Sequence, residues 1–81
     1  MPKYYFDVTD AGETTRDVSG IDLADDQEAR DQAIALLPAI AREEMPDGDQ
    51  HEIVATARNE AGQVVYEASL AFNGRWWPGR R

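Results

Sequence analysis

The sequence predicts an α+β domain in ββαββ order, with one α-helix packed on a four-stranded antiparallel sheet. Three observations lead there. Stretches near both ends alternate with a period of two around short Gly-bearing turns. Between them, one segment repeats its apolar residues at spacings of three and four. A chain of 81 residues also has room for only one modest core, because roughly 60–65% of its extended surface is buried on folding. The domain is placed at residues 1–72, and 73–81 reads as a basic tail carrying tryptophan. The pattern leaves strand order open.

The first strand spans Tyr4 to Thr9, with Tyr4, Phe6 and Val8 on one side and Tyr5, Asp7 and Thr9 on the other. Thr9-Asp10-Ala11-Gly12 supplies a turn whose glycine can take positive φ. A polar return strand over Glu13 to Val18 suits a sheet edge, and Ser19-Gly20 ends it. The helix begins after Leu23, with Asp25 as N-cap, Glu28 as capping-box partner and Asp26 adding negative charge at the positive end of the helix dipole. Its apolar stripe is Ala29, Ala33, Leu36, Leu37, Ile40 and Ala41, and it extends to about Glu44. Pro38 cannot donate to the Ile34 carbonyl, so a kink is expected there rather than a stop, since the stripe resumes in register. Met45-Pro46-Asp47-Gly48-Asp49 terminates the helix.

Strands His51–Arg58 and Val64–Phe72 follow, joined by Asn59-Glu60-Ala61-Gly62, a type I turn followed by a Gly bulge. Counting outward from that turn pairs Arg58 with Val64, Thr56 with Tyr66 and Val54 with Ala68. On this count Val54, Val64, Tyr66, Ala68, Leu70 and Phe72 join Tyr4, Phe6, Val8 and Val18 as the floor for the helix. Ile53, Ala55, Ala57, Val65 and Ala71 then fall on the opposite face, which is strongly apolar for a face exposed to water.

Composition excludes several functions. Sixteen acids against eight bases give a net charge of −8, which disfavours general binding to DNA or membrane, both anionic. No run reaches the ~18 apolar residues of a membrane span, and the start Met1-Pro2-Lys3-Tyr4-Tyr5-Phe6 lacks a secretory pattern. Cysteine is absent, so disulfides are too, and a cytoplasmic location is expected.

With these elements in place, the chain resembles a group of short bacterial domains of unknown function. The residues that carry the likeness are Lys3-Tyr4-Tyr5-Phe6-Asp7-Val8, Asp10-Ala11-Gly12, Gly20, Leu23, Asp25 to Arg30, and Asn59-Glu60-Ala61-Gly62-Gln63-Val64. It covers nearly the whole chain up to Phe72, and the tail departs from it. The resemblance implies the fold and a bacterial cytoplasmic setting, and supplies no catalytic residues. A looser likeness is to antitoxin domains of HicB type, which set a β-hairpin before an acid-capped helix and bind a basic toxin. No DNA-binding segment of that kind is present, so only the acidic partner-binding half would transfer.

No catalytic, cofactor-binding or metal-binding residues are expected. His51, the only histidine, sits beside Glu52 at a strand entrance and reads as exposed to solvent. The acids around Asp25 and Gly48 miss the spacing of a calcium loop, and capping and turn chemistry account for them. No nucleophile elbow, phosphate-cradling loop or nucleotide fingerprint occurs, so an enzyme is not expected. The tail is the one local departure. Arg75, Arg80 and Arg81 surround Trp76 and Trp77 there without an acid, leaving five bases and sixteen acids, a charge of −11, on the rest. The expected function is therefore a non-catalytic protein-interaction module acting as a homodimer. Its candidate contact residues are Trp76, Trp77, Arg75, Ile53, Ala55, Ala57 and Val65. The alternative is an acidic regulator that masks a basic protein surface.

Overall fold

Alternation in the first strand produces an inner strand of the sheet. In the computed structural model, which describes residues 1–44 and 48–80, β1 (Lys3–Asp10) turns Tyr4, Phe6 and Val8 into the core. A two-residue loop leads to β2 (Glu13–Thr15), with Asp10 opposite Glu13. Ala11 and Gly12 both have positive φ, 53° and 87°, the pattern of a type I′ hairpin turn. The turn is thus tighter than the sequence predicts. It forces an alanine, not only a glycine, into the left-handed region.

β2 also stops early, and the reason is Asp17. Its carboxylate accepts the Phe6 N–H at 3.1 Å, standing in for a strand partner on that edge of β1. It also accepts the Ser19 and Gly20 amides at 3.0 and 3.1 Å, closing a loop. The chain then rejoins β1 as β3 (Ile21–Asp22), opposite Lys3 and Tyr4. Val18, predicted in the core, lies on this loop and is 89% exposed. Gly20 is required: φ is 74°, and a Cβ there would sit 2.8 Å from the Lys3 side chain.

The helix α1 (Asp26–Glu44) starts where the capping signals put it. The Asp25 carboxylate accepts the Glu28 amide at 3.0 Å. Glu28 reaches back to the Ala24 N–H at 2.9 Å, one residue beyond the reciprocal partner of a standard capping box. Tyr4 donates its hydroxyl to Asp26 Oδ1 at 2.6 Å, tying the first turn to β1. Helical assignment continues through Pro38. Ala29, Ala33 and Leu37 are buried, with Leu36, Ile40 and Ala41 packed around them, so the predicted stripe is the one that docks. Of the predicted terminator, Met45, Pro46 and Asp47 lie outside the described residues.

The closing hairpin is β4 (Gln50–Arg58) and β5 (Val64–Asn73). Its turn forms as the sequence predicts. The Gly62 amide bonds the Asn59 carbonyl at 3.0 Å, Gly62 has φ 83°, and the Asn59 side chain accepts the Gln63 amide at 2.9 Å. Arg58 pairs with Val64, also as counted. A second bulge then intervenes at Val65, and the ladder resumes as Ala57 with Tyr66, Ala55 with Ala68 and Ile53 with Leu70. That shift of one residue exchanges the two faces of β4. Ile53, Ala55 and Ala57 become fully buried core, and Val54 and Thr56 turn to the other side.

The sheet order is β2-β1-β4-β5, antiparallel throughout, with β3 pairing to β1 in addition. The helix lies over β4 and β5. Alanines on both layers, Ala29 and Ala33 against Ala55 and Ala57, let helix and sheet approach closely, and Ile53 is the one large side chain buried completely among the described residues. No described helix is long and apolar enough to cross a membrane.

Candidate interaction surface

The two edges of the sheet differ in kind. On one side β2 and β3 are three and two residues of pairing separated by the Asp17 loop, so few free backbone groups remain in line there. On the other side β5 is ten residues long, and its outer edge has no strand partner among the described residues. From Tyr66 to Asn73 it carries one charge, Glu67, and no proline. Natural edge strands are usually interrupted by such features, because unpaired N–H and C=O groups in a row recruit another strand.

Apolar side chains flank this edge. Leu70 and Phe72, assigned to the core by the sequence count, point to the helix side but remain 38% and 40% exposed. Arg30 places its guanidinium 5.7 Å from the Tyr66 ring, which identifies the flank of α1 nearest β5. Ile34, one helical turn further on, shares that flank and is 37% exposed. A seam of Ile34, Leu70 and Phe72 thus runs beside an open strand.

The tail leaves from the end of β5. The Gly74 amide donates to the Asp49 carbonyl at 2.6 Å, and beyond it the chain projects away from the body. The molecule measures 56 × 21 × 18 Å with a radius of gyration of 15.2 Å, against about 12 Å for a compact chain of this length. Trp76 and Trp77 are 61% and 65% exposed, and Arg75 stacks 5.1 Å from the Trp77 ring. These three predicted contact residues are therefore accessible.

The other four are not. Ile53, Ala55 and Ala57 are at 0% exposure under the helix, and Val65 is half-buried against the same core. The predicted apolar patch does not exist on the surface, because it depended on the register that the Val65 bulge shifts. The uncovered face instead carries Tyr5, Asp7, Thr9, Val54, Thr56, Arg58, Glu67 and Ser69.

That face holds a charge cluster the sequence did not signal. Arg58 forks onto Asp7, with Nε at 2.6 Å and an Nη at 3.1 Å, and the same Nη reaches the Asp17 carbonyl at 3.3 Å. Its guanidinium also lies 5.2 Å from the Tyr5 ring. The bond to Arg58 holds the Asp7 carboxyl below its usual range, overcoming the opposing effect of burial. At Asp17 burial is the largest effect and pushes upward, but three backbone amide donors together bring its carboxyl below the ordinary value. Hydrogen bonding to Asp26, then burial, pushes the Tyr4 phenol up to about 12. Asp7, Asp17 and Arg58 hold the Arg16–Gly20 loop to β1, and the group acts as a structural staple.

An open groove of about 520 Å³ lies at the first-hairpin end of the sheet, lined in part by Thr9, Gly12, Glu52, Val54 and Asn73. His51 and Thr9 are both among its lining residues. Thr9 shares a hydrogen bond with the Thr14 hydroxyl at 2.8 Å. His51, expected at the surface, is instead buried at 8% on the core face, with Nε2 2.5 Å from Asp10 Oδ1. Its parity with Ile53 puts it there. Among the described residues, no group of three potential metal ligands gathers.

One uncovered sheet face, one blunted edge and one open edge beside a single helix define a small α+β domain of ββαββ type. The chain belongs to a family described as a domain of unknown function, DUF6894, whose model matches residues 3–71 and so stops short of the tail. No curated protein and no solved structure matches it.

Proposed function

We propose that the domain is a non-catalytic protein-interaction module that works as a homodimer, two copies joined by antiparallel pairing of β5 across a two-fold axis. The observation that carries this reading is the contrast between the edges: one is broken up and sealed by Asp17, while the other is long, regular and flanked by Ile34, Leu70 and Phe72.

Sedimentation equilibrium tests the reading. The unaltered chain sediments as a dimer at micromolar concentration. Leu70→Lys and Phe72→Lys, each placing a charge in the seam, weaken association about 100-fold while leaving the far-UV spectrum of the monomer intact. A wild-type monomer at high micromolar concentration removes the proposal. The alternative, an acidic regulator of a basic protein surface, draws on the −11 charge of residues outside the tail. It requires basic partners whose affinity falls steeply with salt.

A further inference from the structure

We infer that the Trp–Arg tail of each copy clasps the opposite end of its partner, across the β5–β5 pairing proposed above, on which this inference rests. The tail and its docking surface lie at opposite ends of one body. The bond from Gly74 N–H to the Asp49 carbonyl fixes the tail's exit at the end where β4 begins. The far end carries the Asn59–Gly62 turn, the start of β1 and the start of α1, held together by Tyr4 on Asp26 and by Glu60 accepting the Lys3 amide at 3.0 Å. That end presents Asp25, Asp26 and Glu60, and beside them on the uncovered face, next to its pair Arg58, Val64 is 60% exposed.

Within a single copy, basic tail and acidic end are separated by the length of β5, about 33 Å at ~3.3 Å per residue. Residues 74–80 fully extended reach only about 23 Å. An antiparallel β5 pair removes this separation. In a pair centred on Ala68 or Ser69, the last residues of each β5 fall close to the first residues of the partner strand, and each tail emerges near the partner's turn and helix start. Arg75 and Arg80 then meet the carboxylates of Asp25, Asp26 and Glu60. Trp76 and Trp77, mostly exposed in the single chain, are covered against Val64. Two-fold symmetry closes both clasps at once, so the contact does not propagate into a fibre.

Both tryptophans of the protein are in the tail, so indole fluorescence reports on this segment alone. Emission of the full chain is measured against concentration, alongside sedimentation. The expected result is a blue shift that follows dimer formation. Trp76→Ala/Trp77→Ala and Arg75→Glu/Arg80→Glu are each expected to weaken the dimer about tenfold, the second losing its effect as salt rises. Three results overturn the clasp. A dimer whose indoles keep the emission of free tryptophan leaves the β5 reading standing and removes the clasp. Blue-shifted emission in the dilute monomer means that the tail packs on its own body. A monomer at all concentrations removes both readings.

Discussion

Replacing Ile53 by alanine tests the register on which the whole core depends. Ile53 is completely buried between β1, β5 and the helix, while its neighbour Val54 is half-buried on the uncovered face. Truncating isoleucine removes three carbons, worth about 2.4 kcal/mol in transfer at ~0.8 each. A residual cavity of roughly 40 Å³ adds about 1 kcal/mol, giving about 3.5 in total, inside the range measured for such changes. Val54→Ala removes two carbons from a site already half in water, so about 0.8 kcal/mol is expected. Urea unfolding followed by far-UV circular dichroism, at one fixed protein concentration, separates the two. With a slope near 1 kcal/mol per molar, the midpoints fall by roughly 3 M and 1 M. Should Ile53→Ala leave too little stability to measure, Ile53→Val, expected to cost about 1 kcal/mol, takes its place. A larger loss at position 54 than at 53 would mean that the ladder runs as the turn alone dictates, with no bulge at Val65, and would refute the core described above.

Other expectations follow from single features. Ala11→Asn relieves an alanine held at φ 53° and raises stability by about 0.5–1 kcal/mol, or roughly 3–6 °C in melting temperature by calorimetry. Asp7 and Asp17 both have carboxyls lowered in the folded state, so their contribution is complete above the unfolded value near pH 4 and is lost as pH falls through the lowered values. Asp7→Asn therefore costs about 1–2 kcal/mol at neutral pH, discounted for solvent screening, and flattens the acid limb of a urea-midpoint profile between pH 2 and 6. Tyr4 has the opposite sign: with its phenol at about 12 against about 10 unfolded, its contribution is complete below pH 10 and is lost as pH rises through 12. Ultraviolet titration of Tyr4→Phe should lose the last-ionising phenol of the wild-type curve.

Much of this architecture was legible before any coordinates, because the signals were short-range. The Asp25 cap, the 3–4 spacing of Ala29, Ala33 and Leu37, and the Asn59–Gly62 turn each act through neighbours a few residues apart, and each forms as predicted. The exposure of Trp76 and Trp77 was not legible in the same way, since two adjacent indoles could equally fold back onto the body or meet a partner. Misreadings began where a distant group decided the outcome. β2 ends at Thr15 because the Asp17 carboxylate caps the Phe6 amide, a contact the alternation in Glu13–Val18 does not encode. Arg58 finds Asp7 only once β1 and β4 lie side by side.

The sequence by itself determined the two hairpin regions and the helix between them, their order, and which stripe of the helix is apolar. Tertiary structure decided which face of β4 that stripe meets. Side chains in a strand alternate, so one bulged residue at Val65, unmarked by any glycine, moves Ile53, Ala55 and Ala57 from water to core. Two alanines on each layer fit closely only in that register, and such complementarity becomes available only when the layers meet.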